Sequence, residues 1–198
     1  MFLLKQYPEY IFNFEGAVKY AWMKEYYPAQ YEEMKKFIES GRWHISGASW
    51  DATDTLVPSI ESAIRNIMLG QDYYRKEFGV ESTDIFLPDC FGFGWTLPAI
   101  ASHCGLIGFS SQKLQWRNKP FYGNDKYPFT VGLWQGIDGS TIMMTHGYDY
   151  NQRFEDGDLS ENKDLLELTG HSPLHMVYRY YGTGDIGGSP TLESVRAV

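Results

Sequence analysis

Cysteine is scarce in this 198-residue sequence: Cys90 and Cys104 are the two it has, and neither belongs to a CxxC pair. Two isolated thiols cannot form a disulfide framework, so both are expected to stay reduced, with Cys104 a small core residue on a helix. Long apolar runs are also missing, since none approaches the roughly 18 residues that a membrane span requires. The opening Met1-Phe-Leu-Leu-Lys-Gln-Tyr-Pro8 has no basic segment, apolar core or small-residue cleavage site. A soluble chain without an export signal is the expectation, with no membrane partner. Positive charge is in short supply, with 17 Lys+Arg against 25 Asp+Glu and a net charge of −8. The densest basic stretches are only Lys35-Lys36 and Arg75-Lys76, which argues against a nucleic-acid partner. No G-x-x-x-x-G-K-[ST] or G-x-S-x-G motif occurs, and Gly182-Thr-Gly184 is too short for a dinucleotide fingerprint.

What is present is an apolar fraction of 43 % and an aromatic fraction of 17 %, enough to exclude a disordered chain. Such a surplus fits a large core or a surface that stacks flat sugar rings, and core is the default. Twenty glycines show no collagen period. At about 150 residues per domain, and with no repeat or linker, residues 1–198 read as one domain.

Periodicity predicts a helix over 14–27, with Val18, Ala21, Trp22 and Glu25 on one face, and a second from Pro28 to the stop at Gly41. The clearest helix runs from the cap Ser59 to about Phe78 and ends at Gly79. Another follows Thr96, with Pro98 in its first turn, and reaches Cys104. Strands are predicted at Trp43–Ser46, Asp84–Leu87, Leu106–Ser110, Phe129–Trp134, Thr141–Thr145 and Met176–Tyr180. Gly136-Ile-Asp-Gly139 gives a hairpin between the fourth and fifth of these. Residues 112–128 and 147–161 read as loops. Alternation of strand, loop, helix and strand indicates an α/β fold of mainly parallel strands.

Two acidic residues stand out by position. Asp89 lies just past the strand Asp84–Leu87, within Pro-Asp-Cys-Phe-Gly-Phe-Gly, and Asp185 lies past Met176–Tyr180, within Gly-Thr-Gly-Asp-Ile-Gly-Gly. Reactive groups collect at the carboxyl ends of strands, and a pair of carboxylates is what glycoside hydrolysis needs. The rival reading makes Asp89 a cap of a βα loop and Asp185 the holder of a glycine turn. Asp51 and Asp54 could join the same rim, although a solvated loop suits them better. His171 and His175 have the i, i+4 spacing of a metal pair, but Pro173 between them argues against a helix there. His44, His103 and His146 are isolated, with His146 set apart because it closes a strand.

At these residues a family resemblance emerges. Leu87-Pro-Asp-Cys-Phe-Gly-Phe-Gly94, Leu97-Pro-Ala-Ile-Ala101 and Gly105-Leu-Ile-Gly-Phe-Ser-Ser-Gln-Lys113 together resemble the nucleophile region of glycoside hydrolase family 38, the α-mannosidases. Gln6-Tyr-Pro8, Tyr20-Ala-Trp22, Gly41-Arg-Trp43 and Gly70-Gln71 resemble segments that precede it. Trp134-Gln-Gly-Ile-Asp-Gly-Ser140 and Gly182-Thr-Gly-Asp-Ile-Gly-Gly-Ser-Pro-Thr191 resemble those that follow. The resemblance implies a (β/α)7-type barrel, only part of which this chain contains, and a zinc-dependent retaining α-mannosidase acting on α-mannosides or mannose-containing glycans. It further implies that Asp89 is both nucleophile and zinc ligand, that Asp185 is the general acid/base, and that Phe91 and Lys113 contact substrate. Two departures accompany it: no His-x-Asp pair occurs, and Ala52 stands where a glutamate is common. The first and last metal-ligand segments are thus expected to be missing from the chain, leaving the isolated chain inactive. Two other readings remain, a non-catalytic carbohydrate-binding fragment and a metal-dependent polysaccharide deacetylase using His171 and His175.

Overall fold

The protein is described here by a computed structural model covering residues 1–115, 130–147, 154, 158–184 and 188–198. The expected 112–128 and 147–161 loops fall largely outside these residues, as do Phe129 and Asp185.

Helix α1 (Phe2–Gln6) leads into strand β1 (Phe12–Glu15), followed by α2 (Ala17–Tyr26), α3 (Pro28–Glu39) and β2 (Trp43–Ser46). Pro28 opens α3 where its missing N–H costs nothing, and Gly41 (φ 73°) turns the chain toward β2. Helix α4 (Ile60–Phe78) starts where the Ser59 hydroxyl accepts the Ser62 N–H at 3.2 Å and stops at Gly79 in the left-handed region (φ 69°). Then come β3 (Asp84–Phe86), α5 (Leu97–His103), β4 (Gly108–Ser111), β5 (Val131–Gln135) and β6 (Thr141–His146). Helices α6 (Lys163–His171) and α7 (Leu192–Ala197) close the order. The expected helix over 14–27 is therefore shorter, because Phe12-Asn-Phe-Glu15 alternates with the strand period up to Gly16 (φ 85°).

Strands β1 and β2 pair in parallel, and β3, β4 and β6 form a second parallel set with β5 antiparallel at its edge. Ala48 N–H donates to the Asp84 carbonyl at 2.8 Å and Gly47 N–H to its carboxylate at 2.9 Å, so the two sheets meet between β2 and β3. The mainly parallel α/β layer matches expectation; among the described residues both sheets are small and unclosed, and a (β/α)7 barrel is not confirmed. The expected strand Met176–Tyr180 is also corrected. It runs without a ladder partner among the described residues and is tied down by side chains instead. Tyr178 N–H donates to the Thr130 hydroxyl at 2.8 Å, and the Ser110 hydroxyl bonds to both Tyr178 and Tyr180.

One face of the strands packs on helices. Ile85, Phe109 and Ile142 are buried there against Ile67 of α4 and Leu97 and Ile100 of α5, while Ile45 is buried with Met34 and Ile38 of α3 and Tyr74 of α4. Most of the large aromatics join this packing. Tyr20 meets Trp43, Tyr74 and Phe78 edge-on, while its hydroxyl accepts the Trp43 indole N–H and donates to the Phe14 carbonyl, both at 3.0 Å. Core is thus the fate of these rings, whereas Phe2, Trp22, Tyr26, Tyr27, Phe91 and Trp95 stay exposed.

Candidate active site

The opposite face of the strands is concave. His44 and Ser46 of β2, Asp84 and Phe86 of β3, and Ser110 of β4 alternate with the buried set and line a trough of about 840 Å³, roofed on one side by Tyr178. Burial raises the Tyr178 and Tyr180 phenols above their ordinary value, so both are neutral hydrogen-bonding groups. Pro88 lines this trough but Asp89 does not; the carboxylate stands at its lip.

The lip is built by the carboxyl ends of parallel strands. Leu87, buried, donates its N–H to the Ser110 carbonyl at 2.9 Å, extending the β3–β4 ladder one residue and launching Pro88-Asp89 beyond the sheet. Past β4, Lys113 begins a short 3-10 turn with its N–H on the Ser111 hydroxyl at 3.2 Å. Its side chain is only 8 % exposed, against 58 % for Asp89, and its ammonium lies 2.6 Å from Asp89 Oδ1. The same ammonium sits 4.7 Å from the Phe91 ring centroid. A buried ammonium must find compensating charge, and here a carboxylate and a ring face supply it. The structure thus brings together Asp89, Phe91 and Lys113. Spacing alone gave no sign that Lys113 engages Asp89, because the two meet through sheet register.

The neighbouring loop is stitched to this one. The Thr55 hydroxyl donates to the Gly92 carbonyl at 2.8 Å, and the Cys90 thiol to the Thr53 carbonyl at 3.2 Å. Asp54 Oδ1 accepts the Leu56 and Val57 N–H groups at 2.7 and 3.0 Å, and these bonds, Leu56 first, hold its carboxyl below the usual range. Asp51 is likewise exposed and bonds its own following N–H at 2.9 Å, so both residues belong to a solvated loop as expected. Burial, followed by the Asp54 and Asp89 charges, pushes the Cys90 thiol up to about 11, which removes it as a nucleophile. Cys104, likewise a free thiol, is half-buried at the end of α5.

The histidines disperse. His171 ends α6 and His175 follows at φ 50°, both exposed, and Pro173 separates them as expected. His103 pairs with Asp138 of the β5–β6 turn at 3.0 Å, and His44 lines the trough. His146, fully buried at the end of β6, sits in register with Ser111. Asp185 lies outside the described residues, while Gly182, Thr183 and Gly188 on either side of it line the trough. Among the described residues no three His, Cys, Asp or Glu side chains come together as a metal site. A closed zinc site takes about four ligands, and the described residues by themselves supply no such set.

A parallel α/β layer with a carboxylate just beyond the carboxyl end of a strand is an arrangement that places ligand chemistry outside the strand ends. Comparisons with known proteins give the family. The profile of the glycosyl hydrolases family 38 N-terminal domain matches residues 1–195, and the chain belongs to that family. It is 37 % identical over 196 residues to Alpha-mannosidase G of Dictyostelium discoideum, covering 96 % of this chain and 17 % of that protein. It is 30 % identical over 195 residues to Alpha-mannosidase 2C1 of Homo sapiens, covering 96 % of this chain and 18 % of that protein. The chain therefore spans under a fifth of the length of these relatives. A solved glycosyl hydrolase family 38 protein from Enterococcus faecalis superposes with a TM-score of 0.65 at 19 % identity, over 93 % of this chain and 20 % of that one, which establishes the shared fold.

Proposed function

We propose that the protein carrying this domain is a retaining α-mannosidase that acts on mannose-containing glycans, with Asp89 as nucleophile and Asp185 as general acid/base. The observation that carries the reading is Asp89 itself, raised beyond the end of β3 on a family 38 domain, more than half exposed and charge-paired with Lys113. A carboxylate oxygen of Asp89 attacks the sugar's C1 as the C1–O bond to the leaving group breaks, and the departing oxygen takes the proton of the acid/base. The resulting glycosyl ester is then cleaved by water, whose proton returns to the same acid/base. The exposed faces of Phe91 and Trp95, on the loop that bears Asp89, offer flat apolar surface to a sugar ring.

The test is made on the intact protein with an aryl α-mannoside, following the first-formed anomer by proton NMR. Retention of the α-anomer, with loss of turnover in Asp89→Asn, is expected. Release of the β-anomer, or a near wild-type rate in Asp89→Asn, overturns the assignment.

A further inference from the structure

We propose that Ser110 is a positioning residue for proton transfer to the leaving group: its hydroxyl tethers Tyr178 and Tyr180, and so fixes where the loop that contains Asp185 leaves the strand layer. The inference rests on the reading of Asp185 as general acid/base and assigns Ser110 no contact with substrate.

Residues 176–180 have no ladder partner among the described residues, so side-chain bonds rather than a sheet hold them in place. Ser110 supplies two of these bonds. It is buried on β4, opposite Phe86 of β3 and Thr145 of β6 in two parallel ladders. Its hydroxyl lies 3.1 Å from the Tyr178 hydroxyl and bonds to that of Tyr180 as well. The buried Tyr180 ring meets Phe86 edge-on at 5.9 Å and covers the Gly147 backbone so closely that a Cβ there would lie 2.3 Å from the ring. Ring and hydroxyl together pin Tyr180, which precedes Asp185 by five residues. Past it, the Thr183 hydroxyl donates to the Ser189 carbonyl at 3.1 Å and ties the two ends of the loop to each other. The entry of that loop from the strand layer therefore runs through Tyr180. Losing the Ser110 hydroxyl leaves two phenols short of a partner and loosens this point. Misplacing a catalytic group by about 1 Å costs up to about 100-fold in rate.

The experiment compares kcat/KM of the intact protein for two substrates, methyl α-mannoside and dinitrophenyl α-mannoside. For each, kcat/KM reports the step in which the C1–O bond breaks and the ester bond to Asp89 forms. Methoxide is a poor leaving group, so its oxygen must take the Asp185 proton as the bond breaks. Dinitrophenolate departs as the anion and needs no proton. Ser110→Ala is expected to lower kcat/KM about 10- to 50-fold for methyl α-mannoside and less than about 3-fold for the dinitrophenyl substrate. Ser110→Thr, which keeps the hydroxyl, is expected to stay within about 3-fold of wild type on both. Asp185→Asn sets the scale, with a loss at least about 100-fold larger on methyl α-mannoside than on the dinitrophenyl substrate.

Equal losses on both substrates in Ser110→Ala overturn the positioning role, because a general disturbance of the fold does not distinguish leaving groups. Wild-type rates on both overturn it too. If Asp185→Asn loses no more on methyl α-mannoside than on the dinitrophenyl substrate, the reading of Asp185 falls, and the role of Ser110 with it. A selective loss in Asp185→Asn without one in Ser110→Ala refutes the tether alone. If Ser110→Ala loses its melting transition, Tyr180→Phe serves instead, since it keeps the ring against Phe86 and removes the hydroxyl. A selective loss of about 3- to 10-fold on methyl α-mannoside is expected from it, and equal rates refute the restraint.

Discussion

Alanine in place of Gly70 and alanine in place of Gly170 are the same substitution in two helices, and the structure assigns them opposite signs. Within a helix, glycine costs about 1 kcal/mol relative to alanine, so propensity alone makes both changes stabilising. At Gly170, near the end of α6, an added Cβ would have no neighbour within 4 Å. That variant should gain about 0.5–1 kcal/mol. At Gly70 the Cβ would lie 2.1 Å from the Ala48 carbonyl oxygen and 2.4 Å from the Ser49 carbonyl carbon. Both neighbours are backbone, so relief requires α4 to withdraw by about 1 Å from the segment that follows β2, in a close-packed interior. Overpacking of this kind costs about 1–3 kcal/mol or more, which exceeds the propensity gain.

Withdrawal would also stretch the nearby contacts of the same helix. The Gln71 side-chain amide donates to the Ser82 carbonyl at 2.7 Å, and the Tyr74 hydroxyl to the Gly47 carbonyl at 3.1 Å. The net loss expected in Gly70→Ala is about 1–3 kcal/mol, or a melting midpoint lower by about 3–10 °C at this chain length. Thermal melts followed by circular dichroism, with Gly170→Ala as the paired control, provide the assay. A Gly70→Ala midpoint at or above wild type would refute the packing argument, because it would mean that α4 does not rest on residues 48–49.

Further outcomes are expected. Asp89→Asn in the intact protein should lower kcat for an aryl α-mannoside by at least about 1,000-fold, measured by steady-state kinetics. Tyr20→Phe leaves the Trp43 indole N–H without its acceptor in a buried site, so chemical denaturation should show a loss of about 1–3 kcal/mol. The Cys90 thiol, pushed up to about 11, should alkylate slowly at pH 7.5 and speed up about tenfold per pH unit toward that value, because the thiolate is the reactive form. Rapid modification of Cys90 at neutral pH, with the fold intact, would contradict its placement.

Much of this molecule is legible from residue order. Ser59 and Gly79 mark the ends of α4 because a hydroxyl cap and a left-handed glycine act locally, and both behave as read. The hairpin at Gly136–Gly139 follows for the same reason, with Gly139 at φ 86°. Asp89 could be picked out because Pro-Asp-Cys-Phe-Gly-Phe-Gly directly succeeds a short apolar strand, and the family was readable from motif order along the chain. Strand β1 was missed although Phe12 and Phe14 alternate with Asn13 and Glu15, since four residues are too few for period 2 to outweigh the helical pattern that follows. Met176–Tyr180 has the composition of a strand but finds no ladder partner among the described residues, and only its neighbours could decide that.

The sequence by itself determined the helix ends, the hairpin, the parallel α/β character and the carboxylate at the end of β3, because capping, turn chemistry and hydrophobic period act over a few residues. Tertiary structure alone decided that Met176–Tyr180 is held by side chains, that Gly70 lies against residues 48–49, and that Lys113 reaches Asp89 across 24 positions. Those outcomes depend on sheet register and on close packing between segments distant in the chain, and no local pattern of residues encodes such distances.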